Sequence, residues 1–289
     1  MNSAHDIQTT LEQITSFHER FQRDGALIIK NAFDEPSMQL IENAYNWNLN
    51  NLGPLAQRLY PESDGTFIQC TEDSSQKPPF KAVFEKTPIL DIVKNLFSSD
   101  DIWYFEDQLF FKEGDNGPAR RTPWHQDTSY HPIEGEKIAV LWIPLNDISA
   151  DSALEVIRGS HRKTLYNGAF FDPNDDTAPL YDEAEMPRLP DIQANRADWD
   201  IVTCAMERGD VLIFHTSTIH GGGATAPGTT RRSLSLRFVG DDVIRVGRPP
   251  IKSESPVTNN IGDKEIQFQN RLNTLESGEP VHKCGLTKL

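Results

Sequence analysis

The sequence predicts a mainly β domain, a sandwich or barrel with helices packed outside it. Two observations predict it. From Ile102 onward, short runs rich in β-branched and aromatic residues recur between turn residues, and before that point the apolar spacing is largely helical. The 289 residues are read as one domain over 1–289, with a helical N-terminal segment at about 1–55, a β core at about 100–245 and an extension at about 250–289. That length buries a substantial core.

Taken in order, Ile7, Leu11, Ile14, Phe17 and Phe21 stand at helical spacing. Asp24-Gly25 turns the chain into the apolar run Ala26–Lys30, read as a buried strand. Asp34 is placed to cap a helix that has Pro36 in its first turn and runs to about Asn50. Pro88 to Phe97 is a shorter amphipathic helix. Strands are expected at Ile102–Lys112, Lys137–Leu145, Ala153–Arg158, Val211–His215 and Ser233–Val239. Residues 166–200 carry nine acids against two arginines, with four prolines, and read as a long insertion between strands, either a binding loop or a solvated acidic loop. The polar tail after Pro249 either wraps the surface or stays loose.

Charge and cysteines narrow the function classes. A net charge of −15 argues against non-specific nucleic-acid binding and against anionic membranes. No apolar run approaches a membrane span, and the N-terminus lacks the pattern of a secretory signal. Cys70, Cys204 and Cys284 are odd in number and far apart, which fits a reducing cytoplasm and leaves no CxxC zinc site. The expected partner is a small-molecule substrate, neither nucleic acid nor membrane, and a homo-oligomer stays open.

The chemistry is carried by His125 and Asp127, in Trp124-His125-Gln126-Asp127, together with the distant His220. Two imidazoles and one carboxylate form the three-ligand face that holds a non-haem ferrous ion with open positions. On a strand, residues i and i+2 share a face, so the first pair would converge on one ion. Alone the pair means little, because 8 histidines and 43 acids produce about one such match by chance. His220 adds weight: it follows an apolar strand and precedes three glycines that let backbone approach closely. His215 reads as a core or supporting histidine, His131 as a pocket-rim residue and His161 as a turn residue. Arg231 opens a strand whose polar face is Ser233, Ser235 and Arg237; if that face lines the interior, its planar fork suits a carboxylate. Gln108 and Lys112 lie on the more polar face of their strand and are candidate pocket residues. Trp142 reads most simply as core.

These residues, with Gly159-Ser160-His161, Arg208-Gly209-Asp210 through His215, and His220-Gly221 through Arg231, resemble the phytanoyl-CoA dioxygenase family from about residue 17 to 249. The resemblance implies a double-stranded β-helix (jelly roll, cupin-like) that uses Fe(II), 2-oxoglutarate and O2 to oxidise an unactivated C–H bond, releasing succinate and CO2. By the same resemblance His125, Asp127 and His220 are the iron ligands and Arg231 binds the far carboxylate of 2-oxoglutarate. Gln108 and Trp142 line the co-substrate pocket. Gly222 stands where some members carry serine. Asp127 is present where related halogenases carry a small residue, which favours hydroxylation or another oxidation. The substrate is expected to be a neutral or cationic specialised metabolite rather than a coenzyme A thioester, since the acidic 166–200 segment repels polyanions. A zinc hydrolase and a non-catalytic cupin-like binding protein that has kept metal are the alternatives; the hydrolase has no evident use for Arg231 and no obvious HExxH or paired metal motif.

Overall fold

Residues 8–10, 17–182, 186–249, 252 and 271–289 are described by the computed structural model. In chain order the elements are β1 (Gln8–Thr10), α1 (Phe17–Asp24), β2 (Ala26–Lys30), α2 (Glu35–Asn50), β3 (Gln57–Arg58), β4 (Thr66–Glu72), α3 (Pro78–Lys86) and α4 (Ile89–Phe97). There follow β5 (Trp103–Glu113), β6 (Thr122–His125), β7 (Ile133–Glu134), β8 (Ile138–Pro144), β9 (Leu154–Ile157) and β10 (Ile201–Cys204). The chain closes with β11 (Val211–Phe214), β12 (His220–Gly222), β13 (Thr230–Val239), β14 (Ile244–Arg245) and β15 (Thr287–Lys288).

Two sheets form the jelly roll that was expected. The large one runs β1-β2-β11-β8-β13-β5-β4-β3, with β15 also pairing to β5, and the small one runs β10-β9-β12-β6. Strand alternation divides the large sheet into two faces. Leu234, Leu236 and Phe238 of β13 join Leu141, Ile143 and Ile213 on the outer face, buried beneath Met38, Ile41 and Tyr45 of α2 and the apolar sides of α3 and α4. Each such side chain contributes about 1.5–3 kcal/mol by leaving water. The inner face meets the small sheet through Val140, Leu212, Phe214, Val156 and Val202.

Local signals set the element ends. The Asp34 carboxylate accepts the Ser37 amide (2.9 Å) and Pro36 occupies the first turn of α2, as expected. Gly209 turns the chain into β11 at φ 103°, a conformation open to glycine, and Asp210 then accepts the Asn31 and Glu207 amides (2.9 and 2.8 Å). The Arg208-Gly209-Asp210 motif is therefore a structural turn.

Some expectations need correction. Of the helical spacing expected over 7–21, Phe17 and Phe21 lie in a helix, whereas Gln8–Thr10 is a strand that pairs in parallel with β2; Ile7 and residues 11–16 lie outside the described residues. A short apolar period cannot separate an edge strand from a helix when the partner strand is what decides. The tail splits likewise. Most of 250–270 lies outside the described residues, whereas Leu272, Leu275, Val281 and Leu286 pack against Trp103, Phe105 and Val239.

Candidate metal centre

His125 and His220 come together because β6 and β12 pair antiparallel and bring these two residues directly opposite one another. Their ring centroids lie 4.1 Å apart. Gly221 helps the two strands pass this close: a Cβ there would stand 3.1 Å from the Thr122 carbonyl oxygen of β6. His125 Nδ1 donates to the Pro123 carbonyl (2.8 Å) and His220 Nδ1 to the Thr218 carbonyl (2.9 Å). A carbonyl only accepts, so both rings are held as the tautomer with an Nε2 lone pair. Asp127 Oδ1 lies 3.4 Å from His125 Nε2 and 3.7 Å from His220 Nε2. The three ligand atoms all fall within 4.8 Å of one another, and all three residues are buried.

Asp127 reaches this point by a route the sequence reading did not foresee. It opens a 3-10 turn (Asp127–Ser129) just past the end of β6, so the turn aims the carboxylate rather than the pleat. Burial opposes its ionisation, but the Arg237 guanidinium beside it outweighs that and holds the carboxyl well below its usual range. Burial, then the neighbouring His125, pushes His220 down to about 3. Two imidazole nitrogens and one carboxylate oxygen thus face one buried point, which is the donor set for a divalent cation.

Arg237 was seen in the sequence only as a member of the polar face. Its Nη2 and Nε donate to Asp127 Oδ2 (2.8 and 3.3 Å), its Nη2 also reaches Gln108 Oε1 (2.8 Å), and Nη1 lies 3.2 Å from Glu106. One carboxylate oxygen is therefore tied to arginine while the other faces the histidines. Glu106 is pushed up to about 7 by burial, against the pull of Arg237. His131, the expected rim residue, has its Nε2 3.4 Å from Glu106. The parity that put Arg231 inward put Arg237 inward too, but parity does not reveal which carboxylate a guanidinium meets.

The polar face of β13 does line the interior. Arg231 lies opposite Lys112, Ser233 opposite Phe110, and Ser235 opposite Gln108 on β5 and Trp142 on β8. Gln108 and Trp142 are thus both on the interior side, with the Gln108 amide already engaged by Arg237 and by Gln69 (3.2 Å). Arg231 is buried and its Nη1 donates only to the backbone carbonyls of Ser152 and Gly223. Its Nε and the Ser233 hydroxyl have no hydrogen-bond partner among the described residues. A Cβ at Gly222 would lie 3.4 Å from Arg231 Nη2, so the guanidinium sits beside the strand that carries His220. Lys112 Nζ donates to Thr122 Oγ1 (2.8 Å) and the Arg120 carbonyl (3.0 Å). Burial, then Arg231, drives the Lys112 ammonium well below its normal pKa, and burial lowers Arg231 to about 10. Two basic groups that face each other, with no carboxylate between them among the described residues, form an unfavourable arrangement that an anion relieves.

The described residues of the 166–200 segment fold onto the site. Ser129 donates to the Tyr166 carbonyl (2.9 Å), and Asn167 and Tyr181 exchange hydrogen bonds (3.1 and 2.9 Å). Asp176 pairs with Arg120 and Arg121 (3.0 and 3.1 Å), Asp175 with Arg188, and Asp182 with Lys252 (3.3 Å). Three of the nine acids, Asp175, Asp176 and Asp182, are therefore paired with basic residues nearby, which weakens the argument that the segment repels polyanions.

Two other histidines are structural. His161 Nε2 reaches the Gln22 carbonyl (3.2 Å). His215 donates from Nε2 to the Gly135 carbonyl (3.0 Å) and accepts the Ser217 amide at Nδ1 (3.0 Å), a geometry that requires the neutral ring. Burial accordingly pushes it down to about 4. Because the folded value lies below the unfolded value of ~6.5, the stabilisation is complete above that pH and is lost as pH falls toward the folded value. The cost is up to about 1.4 kcal/mol per pH unit. His215→Gln is expected to flatten the fall in melting temperature between pH ~6.5 and ~4 by about one proton's worth; an unchanged slope would refute the assignment.

A model of the family described as Phytanoyl-CoA dioxygenase (PhyH) matches residues 21–233. The peroxisomal phytanoyl-CoA dioxygenase of Homo sapiens is 25% identical over 245 residues, covering 81% of this chain and 69% of that protein. A probable phytanoyl-CoA dioxygenase of Caenorhabditis elegans is 27% identical over 162 residues, 54% of this chain, and the match spans 49% of that protein. Among solved structures, the non-heme alpha ketoglutarate dependent carbocyclase SnoK from nogalamycin biosynthesis superposes with a TM-score of 0.63 at 16% identity, covering 96% of this chain and 95% of that one. That last likeness is one of fold.

Proposed function

The chain belongs to the phytanoyl-CoA dioxygenase (PhyH) family of iron- and 2-oxoglutarate-dependent dioxygenases, and from that premise we propose which of its residues carry the reaction and on what substrate class. His125, Asp127 and His220 hold the iron(II); Arg231 receives the distal carboxylate of 2-oxoglutarate, with Ser233 and Lys112 beside it. The observation that carries this is the pairing of two complementary sites on one interior face. Three convergent buried donors await a cation, and a buried guanidinium without a carboxylate partner among the described residues awaits an anion. When bound, the iron couples oxidative decarboxylation of 2-oxoglutarate by O2 to oxidation of a substrate C–H bond, leaving succinate and CO2.

The protein's own part is positional. The backbone carbonyls of Pro123 and Thr218 fix the imidazole tautomers, and Arg237 keeps one Asp127 oxygen away from the metal side. Phe214 and Phe171, with ring centroids 4.4 Å from His220 and 5.6 Å from His125, shield the donors from water. Gln108 supports this arrangement through Arg237, and Trp142 forms the inner wall in the Ser235 row.

The substrate is proposed to be a free small molecule rather than a coenzyme A thioester. Arg120 and Arg121, cations that could meet a polyphosphate, are engaged by Asp176. A cytoplasmic location belongs to the same proposal, supported by the unpaired, separate Cys70, Cys204 and Cys284. No helix among the described residues is long and apolar enough to cross a membrane.

Oxygen consumption and succinate release, measured with ferrous iron, 2-oxoglutarate and a library of free metabolites, test the reading. A dioxygenase is expected to consume oxygen only when both iron and 2-oxoglutarate are present, and faster with its substrate. Turnover that needs zinc and no oxygen would establish the hydrolase alternative, and ligand-induced stabilisation without turnover the non-catalytic one.

A further inference from the structure

Beside the three donors stands a wall of aromatic side chains that the metal and co-substrate do not account for. Phe171, carried in by the 166–200 segment, meets the His125 ring at 5.6 Å between centroids, and Tyr130 meets it at 6.0 Å. Phe171 and Tyr130 are 6.4 Å apart. Tyr60 and Phe67 join Phe171 in one buried cluster, and Phe110, 6.5 Å from Phe67, packs against it from the inner face of β5. This cluster therefore runs from the metal donors to the strands that also present Lys112.

Two members of the wall have backbones that bulky residues rarely adopt. Tyr60 has φ 51° and Phe171 φ 63°. A left-handed aromatic residue persists only where its surroundings over-determine it, and such positions gather at ligand clamps. Both residues lie in the same cluster, on segments far apart in sequence. In addition, the Tyr60 hydroxyl is buried without a hydrogen-bond partner among the described residues. A buried phenol ordinarily finds one, so a group not yet on the protein would satisfy it.

The charges around the wall are already engaged. Arg120 lies over the Tyr60 ring (4.5 Å), donates to the Pro173 carbonyl (2.6 Å) and pairs with Asp176; Lys112 lies over the Phe67 ring (3.9 Å) and is held by Thr122 and the Arg120 carbonyl. The wall itself contains no carboxylate to receive an amine. We propose that Tyr60, Phe67, Phe110, Tyr130 and Phe171 form the substrate-facing wall, and that it takes an uncharged, ring-bearing small molecule with a hydroxyl or carbonyl group placed against the Tyr60 hydroxyl. This rests on the reading of the neighbouring site as the iron and 2-oxoglutarate centre, and it narrows the neutral or cationic substrate expected from the sequence to a neutral one.

Three probes on one naphthalene ring system separate the charge classes: 1-naphthol, naphthalene-1-sulfonate and 1-naphthylmethylammonium. Their dissociation constants are measured on the full chain with Mn(II) and 2-oxoglutarate bound, loading being checked separately by thermal shift. 1-Naphthol is expected to bind at least about tenfold more tightly than either charged probe, because a charge leaving water here finds no free partner. Phe171→Ala is expected to weaken 1-naphthol about tenfold or more, with Phe171→Leu intermediate. Tyr60→Phe is expected to erase the preference for 1-naphthol over 1-methylnaphthalene while leaving the latter's binding in place. A charged probe that binds as well as 1-naphthol, no 1-naphthol binding at all, or unchanged binding in Phe171→Ala overturns the proposal. So does an equal weakening of Mn(II) and 1-naphthol in Phe171→Ala, since the ring would then only be propping His125. A wild-type chain that fails to take up Mn(II) and 2-oxoglutarate would instead count against the metal-centre reading, by a readout independent of the naphthyl probes.

Discussion

Asp127→Ala is expected to abolish iron-dependent succinate release, a fall of about a thousandfold or more, because removing even a supporting partner of a ligand typically costs ~10–100-fold and this removes a donor outright. The structure adds a second consequence. Arg237 loses its hydrogen bonds to Oδ2 and keeps only Gln108 Oε1 and the Glu106 carboxylate. A buried charge stripped of its principal partner destabilises a fold by up to about 3–5 kcal/mol, so the alanine variant should melt earlier even before any metal is added. Asp127→Asn preserves the shape and one acceptor oxygen, and should lose turnover with a smaller thermal penalty. Arg237→Met attacks the same arrangement from behind, and is expected to weaken Mn(II) binding by about 10–100-fold without deleting a donor. Succinate assays, metal titration and melting curves on the three variants check this. Asp127→Ala turnover within tenfold of wild type would remove Asp127 from the metal.

Arg231→Met should produce the opposite pairing of effects. Losing a buried guanidinium that grips a carboxylate costs about 2–5 kcal/mol of binding. The KM for 2-oxoglutarate is therefore expected to rise by about two orders of magnitude or more. The ligand-free protein, in contrast, should be no less stable and is expected to gain. Arg231 is buried with no carboxylate partner among the described residues, and it faces Lys112 across the β13–β5 pair. Adding 2-oxoglutarate at about a hundred times its dissociation constant stabilises the wild-type protein by about 2.7 kcal/mol, and that gain should vanish in the variant. Thermal shifts with and without 2-oxoglutarate decide it: a variant that keeps the full ligand-induced shift shows that the diacid is held elsewhere.

Much of this was legible because it depends on local chemistry. Asp34 and Pro36 mark the start of α2 wherever that helix packs, since a side-chain oxygen satisfies an orphan amide and proline suits a first turn. The alternation from Ser233 to Val239 separates the apolar residues beneath the helices from the polar residues inside, because strand pleat has a period of two. The edge strand β1 was not legible, because its pattern fits a helix equally well until β2 lies beside it. Nor was the short strand at Thr122–His125, whose partner is a glycine-rich segment about a hundred residues away.

The sequence by itself determined the donor set and the polarity of each strand face, and so the chemistry available: two imidazoles, a carboxylate, and cations turned inward. Only the tertiary structure decided which charge meets which. It put Arg237 on Asp127, left Arg231 without a counter-charge among the described residues, paired Asp176 of the 166–200 segment with Arg120 and Arg121, and laid Phe171 against His125. The reason is that residue type and period depend on short-range sterics and solvation, whereas an ion pair or ring contact depends on distances set by sheet register and by where a long insertion comes to rest.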